Sequence, residues 1–220
     1  MHTITFATQK GGSGKSTLAI GLAVAAMQDG ERVFILDTDR QGTVASWGAR
    51  RAAPEPGVEH VSDGYMLDRL VRGLTRNGFT LAIIDTAGNN DSSTIAAIRA
   101  ADLCLIPARP GVADIEATHP TLYEIRRAGK DFAFVLNQTP KLSLRLSRAA
   151  ESLHRFGVLA LPFVALRNDH QDALAAGLGV TEYVPNGRAA EEVRALWAWV
   201  KRKREGGSLE KKPMAVAATT

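Results

Sequence analysis

The sequence predicts an α/β fold, a mostly parallel twisted sheet covered by helices on both faces. Three observations carry this. Apolar runs of strand length alternate with helical patterns along the chain. A glycine-rich loop directly follows the first run and opens the first helical pattern. The chain has 220 residues, 45% hydrophobic and 23% charged, which suits a substantial core and argues against global disorder.

The elements follow in order. Strand-length runs fall at residues 3–7, 32–36, 58–61, 81–84, 103–106, 132–136 and 158–161. The first leads into the glycine loop; the second and fourth each stop at an aspartate. Helical patterns lie between the runs at 16–28, 65–76, 92–100, 113–127 and 143–155, with two more at 170–176 and 188–203. The pattern at 16–28 holds the longest apolar stretch, Leu18 to Met27, about half a membrane span. The last places Val193, Leu196, Trp197 and Val200 at i, i+3, i+4 and i+7, the stripe of a helix packed on its domain. No internal repeat or long linker interrupts the series. One domain is expected over residues 1–204, followed by a disordered tail over 205–220.

Composition narrows the classes. The lone Cys104 excludes an intrachain disulfide and the ligand set of a zinc ribbon or iron–sulfur cluster. Met1 to Phe6 carries no basic segment ahead of an apolar one, so no ordinary signal peptide is expected, and a reducing cytoplasm fits. The net charge of +4 is unevenly placed. Residues 1–120 hold 11 Lys and Arg against 13 Asp and Glu; residues 121–220 hold 16 against 10. The second half suits a polyanionic partner.

Gly11-Gly12-Ser13-Gly14-Lys15-Ser16-Thr17 carries the chemistry. Glycines let backbone amides approach phosphate with no Cβ in the way. The following helix N-terminus adds partial positive charge. Lys15 is placed for the β- and γ-phosphates and the Ser16 hydroxyl for Mg²⁺. The strict P-loop pattern has glycine where this chain has Gln9, so the motif is a variant. Two acidic strand ends should face the same loop. Asp37 and Asp39 close one and Asp85 another. An aspartate there can hold a magnesium-bound water, a role that fits Asp85. Asp37 and Asp39 are candidates for sharing magnesium water and orienting the attacking water.

Lys10-Gly11-Gly12-Ser13-Gly14-Lys15-Ser16 resembles the deviant Walker A motif of the ParA/MinD family of ATPases. The family's mark is a second lysine before the glycine pair, here Lys10. Asp37-Thr38-Asp39-Arg40-Gln41-Gly42 resembles its switch I, with Arg40 where the family has proline, a change that alters the stiffness of the segment. Asp85-Thr86-Ala87-Gly88 resembles its Walker B and switch II segment. Phe134-Val135-Leu136-Asn137 resembles the strand whose terminal asparagine reads adenine. Pro185-Asn186-Gly187-Arg188-Ala189-Ala190-Glu191-Glu192 resembles the segment before the last helix. The likeness spans residues 1–203.

The resemblance implies a P-loop NTPase domain with ATP and Mg²⁺ as cofactors and slow intrinsic hydrolysis. It implies a homodimer, formed when ATP is bound, in which Lys10 reaches across to the partner's nucleotide. Catalytic roles then fall to Lys10, Lys15 and Asp39. Nucleotide binding falls to Lys10, Gly11, Gly12, Ser13, Gly14, Lys15, Ser16, Thr17 and Asn137, and magnesium to Ser16, Asp37 and Asp85.

A second surface stands out. Lys141, Arg145, Arg148 and Arg155 fall within about 80° on a helical wheel, and the apolar residues of that helix centre about 120° away. Glu151 is its only acid. A one-signed stripe repels itself and favours a partner such as DNA phosphate, with an ordinary solvated face as the plain alternative. Few aromatics accompany these cations, so binding should be sequence-independent. The basic run Lys201-Arg202-Lys203-Arg204 is read first as solvated cations ending a packed helix, then as an extension of the DNA surface, and last as part of a membrane-docking helix.

The expected function is a switch ATPase, cytoplasmic and nucleoid-associated, that binds non-specific DNA. It would segregate plasmid or chromosome DNA or position a protein cargo, with hydrolysis stimulated by a ParB-like or cargo-adaptor partner. No N-terminal helix-turn-helix precedes the first strand, so operator binding is not expected. The alternative is a MinD-like membrane-cycling ATPase that places the division site or a polar structure. An ATP-dependent amidoligase and a catalytically dead binding module stand behind these.

Overall fold

The computed structural model describes residues 1–89, 91–140 and 144–206. Lys141 and residues 207–220 of the expected tail lie outside the described residues. Six strands form one sheet: β1 (His2–Phe6), β2 (Val33–Asp37), β3 (Gly57–His60), β4 (Leu81–Asp85), β5 (Leu103–Ala108) and β6 (Asp131–Leu136). Their order is β3-β2-β4-β1-β5-β6, and every pair is parallel. All carboxyl ends therefore lie along one edge, where ligands bind such sheets. Phe6, Asp37 and Asp85 are in register there, with Asp85 between the other two.

Ten helices flank the sheet among the described residues: α1 (Lys15–Gln28), α2 (Thr43–Arg50), α3 (Leu67–Arg76), α4 (Ser92–Ala100), α5 (Val112–Glu116), α6 (His119–Arg127), α7 (Leu144–Phe156), α8 (Asp169–Ala175), α9 (Val180–Tyr183) and α10 (Arg188–Arg204). A 3₁₀ turn, Gly64–Met66, precedes α3. Alternate strand residues feed opposite faces, as the period of two requires. Ile4, Ile83 and Leu105 join one core with α1 and α10, while Cys104, Ile106 and Ile84 pack into cores on the other face. Burial pushes the Cys104 thiol up to about 12, so it is inert packing rather than a nucleophile.

The terminal helix packs as its stripe predicts. Val193, Leu196, Trp197, Trp199 and Val200 are all buried in the α1 core. At Gly21 of α1 a Cβ would sit 3.4 Å from Val193, so the glycine permits the close approach. Acids answer the basic end: Trp197 and Lys201 both donate to Asp29 (2.8 and 2.7 Å), Arg204 pairs with Glu31 (2.7 Å) and Lys203 with Asp131 (3.1 Å).

Several expectations need correction. The single helix over 113–127 is two, because Pro120 has no N–H to continue the hydrogen-bond ladder across the junction. Residues 158–161 form an isolated bridge to Phe134 rather than a strand; Pro162 follows at once and cannot donate. Helix α2 was not expected.

Candidate nucleotide-binding site

The loop between β1 and α1 is shaped by glycine. Gly12 and Gly14 have φ of 73° and 89°, the left-handed region. A Cβ on Gly14 would also fall 2.2 Å from Asn137 Nδ2. The residues after β6 brace the loop from behind. Asn137 Nδ2 donates to the Ser13 carbonyl (2.8 Å) and Gln138 Nε2 to the Gly12 carbonyl (2.9 Å). With those carbonyls held at the back, the N–H groups of Gly11 to Gly14 have no partner among the described residues. A row of unpartnered donors at a helix N-terminus is what an anionic phosphate chain requires.

The loop forms one wall of a cleft of about 720 Å³ that includes Lys15, Ser16 and Thr17. Asp39, Arg40, Gln41 and Thr43 form a second wall; Ala87, Gly88, Asn89 and Asp91 form a third. Gly88 lies so close to the loop that a Cβ there would stand 3.2 Å from Gly11 N.

Lys15 is buried, and desolvation lowers its pKa while Asp85 and Asp39 pull it back up. Asp85 is fully buried and neither carboxylate oxygen has a hydrogen-bond partner among the described residues. Burial raises its pKa to about 7, opposed by the neighbouring Ser16 hydroxyl and Lys15. A buried carboxylate without partners is costly unless something is meant to meet it. Asp85 and Ser16 are hard oxygen donors, which suits Mg²⁺. Among the described residues no cluster of three or more His, Cys, Asp or Glu could hold a metal alone, so phosphate and water would complete its shell.

Asp37 is placed differently. One oxygen accepts Asp39 N (3.0 Å), the other Ala45 N (2.9 Å), and it does not line the cleft. Its visible task is to fix the turn before α2. Arg51, paired with Glu182 at 2.7 Å, and buried Trp47, donating to Leu178 O, fix the far end of that helix. Asp39 lines the cleft; one oxygen accepts Gln41 N (2.9 Å). Lys10 lies outside the cleft lining, its Nζ 3.8 Å from Asp114 Oδ2, and Arg109 Nε holds the other oxygen at 2.8 Å. Asn137 is buried against the loop and does not line the cleft.

The α7 stripe is present where the structure describes it. Arg145, Arg148 and Arg155 are exposed and without ion pairs among the described residues, while Leu146, Ala149, Ala150 and Leu153 are buried. Sequence reading missed Gln138, Arg109 and Asp114. No local pattern marks Gln138 or Asp114, because each meets a residue far away in the chain, Gly12 and Lys10; Arg109 holds Asp114 five residues on, across the turn into α5.

Fold and cleft together define a P-loop nucleotide-binding protein. Residues 4–186 match the CobQ/CobB/MinD/ParA nucleotide binding domain, and the chain belongs to that family of ParA/MinD ATPases and related nucleotide-binding enzymes. It is 31% identical over 191 residues to the maintenance of carboxysome distribution protein A of Gloeobacter kilaueensis, covering 84% of this chain and 86% of that one. It is 31% identical over 162 residues to the chromosome-partitioning ATPase Soj of Thermus thermophilus, covering 57% and 63%. The septum site-determining protein MinD of Pyrococcus horikoshii, solved with Mg-ADP, superposes with a TM-score of 0.74 at 16% identity, over 92% of this chain and 97% of that one. Its likeness shows the shared fold.

Proposed function

We propose that this chain is an ATP-driven dimerising switch that rides on non-specific DNA and positions a DNA or protein cargo. One observation carries the reading. Lys10, beside the phosphate loop, is tied to Asp114 of α5, and α5 packs against α7, which bears three unpaired arginines. Nucleotide state and the polyanion surface are thus joined through one short helix.

In the proposed cycle the loop amides and Lys15 bind the ATP phosphates. Bound Mg²⁺, held through Ser16 and an Asp85-bound water, would neutralise phosphate charge. Lys10 leaves Asp114 and meets the partner subunit's nucleotide, acting on developing phosphoryl charge as an arginine finger does. Asp39 orients the attacking water. A ParB-like or cargo-adaptor partner stimulates hydrolysis and ends the state. The relatives with positioning and partitioning names support the cargo reading. The membrane alternative gains nothing from α10, whose apolar stripe is already in the core. No helix among the described residues is long and apolar enough to cross a membrane.

Light scattering with Mg-ATP, Mg-ADP and no nucleotide tests the switch. The proposal expects dimer with ATP only. A nucleotide-independent mass would remove it.

A further inference from the structure

We infer that Arg40 reads the terminal phosphate of the bound nucleotide within its own subunit, so that the chain distinguishes ATP from ADP by a cation on switch I. This rests on the nucleotide reading above and names a residue to which that reading gave no role.

Arg40 sits at the tip of a turn that other groups hold. Gly42 N donates to Asp39 O and Gln41 N to Asp39 Oδ1, both at 2.9 Å. Asp37 clamps the turn from below through Asp39 N and Ala45 N. The backbone needs nothing from the Arg40 side chain, and the Arg40 N–H is itself unpartnered. The residue is therefore free to be chosen for its charge.

That charge belongs to a cleft residue and has no mate among the described residues. Arg40 is one of the residues lining the cleft, is exposed, and makes no hydrogen bond or ion pair among the described residues. The other cations near the cleft already have a place: Lys15 lines it, buried at the start of α1, where the proposed cycle uses it on the phosphates, and Lys10 and Arg109 share Asp114. The turn also marks which phosphate is in reach. Asp39 and Arg40 line the same cleft as Lys15 and Ser16, the residues at the start of α1. This end of the cleft is where the magnesium and the terminal phosphate would lie. A guanidinium suits that target, since its planar fork can donate two hydrogen bonds to one phosphoryl group.

The test measures affinity for ADP and for a non-hydrolysable ATP analogue by competition with a fluorescent nucleotide, at a concentration where light scattering shows monomer. Wild type is compared with Arg40→Ala, Arg40→Lys and Arg40→Pro. The inference expects Arg40→Ala and Arg40→Pro to lose about tenfold for the analogue and stay within about twofold for ADP, with Arg40→Lys between. The preference should also shrink as salt rises. Equal losses for both nucleotides, or no loss for the analogue, would overturn it. An effect seen only in the dimer would move the contact to the partner subunit and also overturn it. Wild type binding neither nucleotide would instead remove the nucleotide reading.

Discussion

Lys10 and Asp114 face each other beside the nucleotide cleft within one subunit, Nζ 3.8 Å from Oδ2, with Asp114 nearly buried and Lys10 one-third exposed. A lysine proposed to act on a partner's nucleotide is here held at home. A partly exposed pair of this kind is worth about 0–1 kcal/mol. Asp114→Ala should therefore lower the ATP concentration for half-dimerisation by up to about fivefold. Lys10→Ala should abolish ATP-dependent dimerisation. An unchanged midpoint in the first variant, read by light scattering, means the tether carries no weight; a normal dimer in the second removes the trans role.

Asp85 makes pH a probe. Burial holds its pKa at about 7 rather than 3.8, so between those values the folded chain keeps a proton that the unfolded chain has released. This group's contribution to stability falls as pH rises through that window and is level above it. Magnesium needs the ionised carboxylate. Mg-nucleotide binding should release protons below pH 7 and tighten as pH approaches 7. Asp85→Asn should erase both effects while leaving metal-free ADP binding in place. Calorimetry in buffers of different ionisation enthalpy checks this; a pH-independent magnesium effect in wild type would count against it.

The brace behind the loop predicts an affinity defect without base discrimination. Asn137→Ala strands the Ser13 carbonyl, a cost of about 1–3 kcal/mol, and loosens the phosphate loop. ATP and GTP binding should weaken alike. A loss confined to ATP would return Asn137 to base recognition. Gly14→Ala should be worse, because it meets both the left-handed φ and the Asn137 amide.

The arginine stripe predicts a salt-dependent defect. Arg145→Glu with Arg148→Glu should weaken duplex DNA binding and flatten the log–log salt slope by about 2. Both side chains are exposed, so the melting temperature should hold. Unchanged affinity and slope would remove the stripe from the account.

The sheet was readable because its strands are apolar runs and two of them stop at aspartates that water-free strands would not tolerate earlier. Asp85 stands at such a strand end, fully buried and with neither oxygen hydrogen-bonded among the described residues. Asp37 shows the limit. An aspartate two residues before another reads as a paired ligand, yet its oxygens go to Asp39 N and Ala45 N, a local choice of backbone geometry. The split between α5 and α6 was visible in Pro120. The Lys10–Asp114 contact was not, because it depends on how β5 sits beside β1, and register across a parallel sheet leaves no trace in local spacing.

The most direct measurement is binding to random-sequence duplex DNA with Mg-ATP, Mg-ADP and no nucleotide across a salt series, with anionic liposomes in parallel. The account predicts DNA binding with ATP alone, falling steeply with salt, and no liposome binding. Binding to liposomes with ATP, or to neither surface, would contradict it.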